Sequence, residues 1–295
     1  MNKPVESNLH HSERPGLPIA AGIGLKLAHL DQFLRQRPDI GFVEVHAENY
    51  LVDGGVRLAQ LDKVRADYPL SIHGVAASLG GEQGIDPEHL RRLKRLIDRY
   101  QPEQFSEHLA WSNHDGLYFN DLLPVPYTSS LLQRVSTQID QLQNTLGRTL
   151  LLENPATYLD FADSEMEESE FLRQLCAQTG CGLLLDLSNL VVSCTNRYED
   201  PLSYLRQLPL ESVGEIHLAG FAEEWGPSGQ RVLIDSHSCD VSPEVWQLYQ
   251  AALELTGPQP TLLERDANLP PLERLIAEAK LAQPYLEDPQ PVCVR

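Results

Sequence analysis

Apolar and polar positions along this chain follow two alternating rhythms. Short runs rich in branched apolar residues read as strands: 20–27 (AAGIGLKL), 41–48 (GFVEVHAE), 69–76 (PLSIHGVA), 103–110 (EQFSEHLA), 149–154 (TLLLEN), 182–187 (GLLLDL), 213–219 (VGEIHLA) and 260–266 (PTLLERD). Between them lie longer stretches with apolar positions three and four apart. Residues 29–37 and 57–68 follow the first two strands, and 86–100 opens with Asp86 as N-cap and Pro87 at the first helical position. The next two helices span 128–147, from a Thr cap to Gly147, and 164–180, from Ser164 to Gly180. The last three are expected over 200–208, 242–257 and 270–282.

Strands joined by crossover helices must pair in parallel, and eight such units close a (β/α)8 barrel with its helices outside. The expected fold class is therefore α/β, a single TIM barrel over residues 17–283. It is flanked by a flexible N-terminal segment, 1–16, and a proline-rich tail, 284–295. An open doubly wound sheet is the other arrangement for this alternation, but no G-x-G-x-x-G follows the first strand.

Composition narrows the functional classes. A net charge of −19, from 42 acidic against 23 basic residues, sets the surface against nucleic acid. The densest basic run, Arg91, Arg92, Lys94 and Arg95, fits the solvent face of a helix. Five cysteines without a C-x-x-C pair argue against a disulfide framework or a structural zinc site. They read as small core residues in a reducing cytosol, with Cys239 set apart in a polar loop after His237. No signal peptide or membrane span is read, so the expected location is cytoplasmic.

In a barrel of this kind the active site lies at the C-terminal ends of the strands. The polar residues there are one-sided in type. Strand two ends in Glu44, His46, Glu48 and Asn49, strand three in His73, and strand four in Glu107 and His108. Strand five ends in Glu153 and Asn154, strand six in Asp186 followed by Asn189, strand seven in His217, and strand eight in Glu264 and Asp266. Buried carboxylates gathered at one rim are costly unless cations neutralise them, which points to a metal cluster. Imidazole nitrogen and carboxylate oxygen without thiolate suit iron, manganese or zinc in an open, catalytic site. Glu153, near the middle of the series and with two oxygens, is the expected bridging ligand. The polar loop carrying Asp235 and His237 offers a further cation site together with Asn189. His46, Glu48, Asn49, Asn154 and Asp266 are expected either to contact substrate or to tie strand ends together.

Read in order, FVEVHAENY, SIHGVAASLG, SEHLAW, YFNDLLPVPYT, LLENPATY, GCGLLLDLSN, GEIHLAGF, IDSHS and LLERD cover nearly the whole chain. The set resembles a family of multinuclear non-haem iron enzymes formerly of unknown function. That family includes the oxidase of methanobactin biosynthesis and the enzyme that excises a cysteine β-carbon in thiaglutamate biosynthesis. The resemblance implies two or three irons, cycling between Fe(II) and Fe(III), with O2 as co-substrate. It places His73, His108 and Glu153 on one iron and Glu153, Asp186, His217 and Glu264 on the next. A third, more labile ion would sit with Asn189, Asp235 and His237. It also implies a cysteine-containing ribosomal precursor peptide as substrate and a small partner protein that presents it. This chain departs from the family at Ser188, where a second asparagine is expected, and at Arg265, where an aromatic is common. A metal-dependent sugar isomerase or phosphoesterase on a xylose-isomerase-like barrel, and a non-enzymatic metal-binding scaffold, are the competing functions.

Overall fold

In the computed structural model, which describes residues 16–287, the eight expected strands close on themselves. The strands are β1 (Ala21–Gly24), β2 (Phe42–His46), β3 (Leu70–Gly74), β4 (Gln104–His108), β7 (Leu151–Glu153), β8 (Gly182–Asp186), β9 (Val213–Leu218) and β12 (Thr261–Leu263). All neighbours pair in parallel, and β1 joins both β2 and β12 to complete the barrel. The missing numbers are two antiparallel hairpins, β5 (Trp111–His114) with β6 (Leu117–Leu123) and β10 (Ala222–Trp225) with β11 (Arg231–Ile234). Each rises from the loop after a barrel strand, β4 or β9, at the end where the candidate ligands sit.

The helices are α1 (Leu30–Gln36), α2 (Val56–Asp67), α3 (Pro87–Tyr100), α4 (Ser129–Leu146), α5 (Glu168–Thr179), α6 (Leu187–Arg197), α7 (Pro201–Leu205), α8 (Pro243–Thr256), α9 (Leu272–Ala279) and α10 (Gln283–Glu287). Their boundaries follow local chemistry. Asp86, Thr128 and Ser242 accept hydrogen bonds from backbone N–H groups of the first turns of α3, α4 and α8, and Gly147 and Gly180 end α4 and α5 in the left-handed conformation. None of the described helices is long and apolar enough to cross a membrane.

Two regions differ from expectation. The sixth crossover helix is α6, which starts directly from β8, whereas 200–208 holds only the short α7. No polar linker separates strand from helix, and nearly every residue from Leu183 to Cys194 is buried, so the segment lacks the amphipathic stripe that marks a helix. At the C-terminal end, Gln283–Glu287 forms a helix with Leu286 buried, so ordered structure enters the segment read as a tail. The rest of that tail, and the N-terminal segment apart from Gly16, lie outside the described residues. Cys176, Cys181 and Cys194 are buried as expected, Cys239 is exposed, and Cys293 falls outside the described residues.

Candidate metal centre

Strand register builds the site. His46 stands beside His73, His108 beside Glu153, and Asp186 beside His217 on neighbouring strands. Because side chains alternate, the inward residue two positions earlier belongs to the layer below. Glu44, Ser71, Ser106 and Glu215 fill that layer and are buried. The ligand layer thus rests on a polar floor.

His73, His108 and Glu153 form one group. His73 Nε2 lies 3.3 Å and His108 Nδ1 3.2 Å from Glu153 Oε2, and the two rings approach at 2.8 Å between Nε2 atoms. Glu153 Oε2 nevertheless has no aligned hydrogen-bond partner. Donor atoms around one ion at about 2.1 Å lie roughly 3.0–3.4 Å apart, so this unaligned crowding fits a common coordination centre. Ser106 Oγ sits 2.8 Å from His73 Nδ1, and accepting from Nδ1–H leaves the Nε2 lone pair free for metal.

Glu153 also belongs to a second group, with Asp186 and His217, and Asp186 to a third, with His237 and Glu264. His217 Nδ1 is 3.3 Å and His237 Nδ1 3.5 Å from Glu264 Oε2. Asp186 Oδ2 and both ring nitrogens of His217 lack hydrogen-bond partners, although all are fully buried. Orphaned buried acceptors of this kind are what a cation would satisfy.

Asn189 connects the groups. Its Nδ2 donates to Glu153 Oε1 at 3.2 Å, its Oδ1 is unpartnered, and its backbone N–H caps α6 on Asp186 Oδ1 at 2.7 Å. Asp235 Oδ1 meets His237 Nε2 at 2.7 Å, and His237 is held at φ 45°, a left-handed conformation that costs a non-glycine residue energy. Gly220 makes room for this loop, since a Cβ there would strike the backbone of Cys239 and Asp240. Asn189, Asp235 and His237 line the same cleft, and His237 also converges with Asp186 and Glu264.

The residues expected to touch substrate divide. His46 and Asp266 line the cleft above the site. Asn154 is a tie, accepting from Asp186 N and donating to Asp186 O, both at 2.9 Å. Glu48 accepts from the N–H groups of Val75 and Ala76, and Asn49 is half-buried in the 3-10 helix after β2 and is not among the residues lining the cleft. The sequence reading passed over Lys26, whose ammonium contacts Asp266, His46 Nε2 at 3.2 Å and Glu264 Oε1 at 3.6 Å. It also passed over Glu215, 3.8 Å from His217. The i, i+2 spacing from His217 was the signal for Glu215; nothing local marked Lys26.

Protonation divides the mouth in two. Burial lowers His73 well below the imidazole range and His108 to about 4, and raises Glu153 well above the carboxylate range. Burial likewise lifts Asp186 to about 6. Across the barrel, burial opposes charge on His217, yet Glu44 and Glu264 outweigh it and raise its pKa. Asp235 does the same for His237. Burial thus favours the neutral imidazole on one side, whereas neighbouring carboxylates favour the charged form on the other.

Above this centre opens a cleft of about 570 Å³, walled partly by Val75, Ala110, Phe119, Pro155 and Tyr158. Fold and site together define a TIM barrel with a candidate metal centre at its C-terminal mouth, and known proteins place it further. Residues 20–287 match the family described as RiPP precursor modification enzyme MbnB/TglH/ChrH, and the chain belongs to this family. It is 53% identical over 264 residues to a UPF0276 protein of Bordetella parapertussis, covering 90% of this chain and 91% of that one. A UPF0276 protein of Rhizobium meliloti is 49% identical over 276 residues, covering 92% and 89%. Among solved structures, a xylose isomerase-like TIM barrel protein from Mycobacterium smegmatis in complex with magnesium superposes with a TM-score of 0.56 at 16% identity, covering 86% and 88%. Endonuclease IV from Thermus thermophilus gives 0.57 at 16%, covering 90% and 99%. These two share the fold.

Proposed function

We propose that this protein is an O2-dependent, multinuclear non-haem iron oxidase that modifies a cysteine residue of a ribosomally synthesised precursor peptide, with a small partner protein presenting the peptide. The observation that carries this reading is the sharing of Glu153 and Asp186 among adjoining groups of buried, unpartnered ligand atoms. In this reading His73, His108 and Glu153 hold one iron, and Glu153, Asp186, His217 and Glu264 its neighbour. Asn189, Asp235 and His237 hold a third. Iron there would supply a Lewis acid that deprotonates a thiol and a redox partner for O2.

The chain's own contribution is binding and orientation. Ser106 fixes the ring of His73, Asn154 holds the backbone of Asp186, and Asn189 donates to the carboxylate of Asp186 through its backbone N–H and to that of Glu153 through Nδ2. Apolar walls formed by Phe119, Pro155 and Tyr158 shield one side of the cleft, and Tyr158 Oη accepts from the N–H of Asp235, tying the wall to the labile loop. The cleft admits a side chain and its flanking backbone, which suits a peptide. The family's substrate class, precursor peptides, supports the same choice, and the acidic surface suits a basic leader or partner.

Lys26 favours a second reading, a sugar isomerase that uses a lysine base beside metal. The charges around it oppose that role. Burial would lower its pKa, but Glu264 and Asp266 raise it, so the amine stays an ammonium and lacks the lone pair a base needs. Turnover of cysteine-containing peptides, compared in air and without oxygen and with iron or zinc bound, tests the proposal. Oxygen- and iron-dependent loss of free thiol is expected. Full activity of a zinc-only protein, or activity undiminished without oxygen, would sink it.

A further inference from the structure

The metal cleft has a neighbour on the other side of one wall. After β7 the chain runs through residues 155–160 without helix or strand, and its side chains divide: Pro155, Ala156 and Tyr158 line the metal cleft, whereas Thr157, Leu159 and Asp160 line a second cleft of about 440 Å³. The same division runs through the end of the first hairpin. Asp121 and Leu122 face the metal side, and Pro124 and Val125 the other.

The second cleft is acidic. Asp160, Glu165, Glu167, Glu168 and Glu199 line it against a single cation, Arg197. Arg197 is drawn to Glu199 at 2.8 Å and Asp160 at 3.2 Å, so negative charge remains in surplus. Glu168 is buried and accepts from the hydroxyls of Tyr127, at 2.6 Å, and Tyr204. An independent feature marks the cleft as a binding site. Thr157, only 4% exposed, lines it with a hydroxyl that has no hydrogen-bond partner among the described residues, while its backbone N–H is pinned by Ser193 Oγ at 2.8 Å. A buried hydroxyl left unpaired is costly, and a bound donor would relieve it.

The geometry of this cleft favours an organic cation over a metal ion. Among the described residues, the sets of ligand atoms close enough to share one ion all lie in the barrel mouth. Carboxylates spread around a cleft suit instead an extended organic cation on a flexible stem, as in arginine or lysine. We propose that this cleft is a specificity subsite for a basic side chain of the peptide whose cysteine enters the metal cleft. The inference rests on the peptide reading above. The wall is one chain thick, on the order of 10 Å with its side chains, which an extended peptide spans in about three residues.

Binding of labelled peptides separates the two sites. The probes are fluorescein-labelled glycine-serine peptides carrying one cysteine and one arginine, placed one to five residues away on either side, with glutamine counterparts. Affinity for the full-length, metal-loaded protein is read by fluorescence anisotropy without oxygen. At one spacing the arginine peptide should bind at least about tenfold tighter than its glutamine counterpart, consistent with a charge-assisted pair worth a factor of ten. The double variant Asp160→Asn with Glu167→Gln, both exposed at the rim, should reduce that preference to within about twofold and leave metal content and the glutamine peptide's affinity unchanged. Thr157→Val should weaken the arginine peptide alone. Equal binding of arginine and glutamine peptides at every spacing, preference retained in the double variant, or no binding by any peptide would overturn the proposal. Changing the peptide's cysteine to serine reads the other cleft: if that change is silent while arginine preference persists, the cysteine reading fails and the subsite stands.

Discussion

Buried carboxylates in the helical shell and in the barrel mouth have opposite surroundings. In the shell, Glu278 meets Arg265 at 2.9 Å and accepts from Val241 N at 2.7 Å, and the half-buried Glu103, just ahead of β4, takes two guanidinium hydrogen bonds from Arg65. Their partners belong to the protein. In the mouth, Glu153, Asp186 and Glu264 face imidazoles and each other, and the only Lys or Arg ammonium or guanidinium paired with any of them in the described structure is Lys26, on Glu264. Glu278 and Glu103 therefore complete their own ion pairs, whereas Glu153 and Asp186 pair with no Lys or Arg among the described residues. Burial alone does not distinguish a functional carboxylate; the missing partner does.

Glu153→Gln should break this contrast most strongly. It removes the carboxylate common to two groups, so metal content should fall by about one ion per chain and peptide turnover by ~100-fold or more, while unfolding stays cooperative. Metal analysis and thermal unfolding of the same preparation check both halves. Full metal content with normal turnover would remove Glu153 from the bridging position.

The shell counterpart is Glu278→Ala, which strands Arg265 without its buried partner. Stability should drop by about 3 kcal/mol in denaturant unfolding, with metal content unchanged. A loss of metal instead of stability would erase the distinction between the two regions.

Acidity sharpens it next. Metal must displace protons from Glu153 and Asp186, raised by burial, and from His217 and His237, raised by their carboxylates despite burial. Affinity should therefore rise with pH through about 6 and beyond, about tenfold per unit for each proton released. On the metal-free fold His217 and His237 act in the reverse direction, opposing His73 and His108, whose lowered pKa values favour the fold as pH rises. The raised pKa values of His217 and His237 contribute stability below the ordinary imidazole pKa, and this contribution is lost as pH rises through their folded values. Calorimetric titration in buffers of different ionisation enthalpy counts the protons, and pH-independent uptake between about 5 and 8 would contradict the scheme.

Ser106→Ala is the mildest test. It frees the ring of His73 without removing a ligand, and about a tenfold loss of metal affinity with unchanged stoichiometry is expected. Competition with a chromogenic chelator measures it.

Much of this fold can be read from the sequence because parallel barrel strands are continuous apolar runs closed by polar residues. Glu153, Asp186 and Glu264 are legible for the same reason: each ends such a run. Helix α6 escaped because it starts directly from β8, with Asp186, a candidate ligand, serving also as N-cap and no loop to announce it. The two hairpins escaped because, of their residues, only Ser112 and Leu233 are buried, so alternation there carries little apolar signal. Lys26 and the polar floor beneath the ligands come from tertiary closure, which brings β1 to β12 and sets Glu44 and Glu215 under His217. Spacing marks Glu215, two residues before His217, but it cannot specify the contacts of Lys26 and Glu44, which join residues far apart in the chain.

Elemental analysis of the full chain, purified without oxygen and then stripped and reloaded with ferrous iron, tests whether the mouth binds metal. Two or three irons per chain in the wild type, with about one fewer in Glu153→Gln, is the expected result. Less than one ion per chain in a folded wild-type protein would mean that these carboxylates and imidazoles do not form a metal centre.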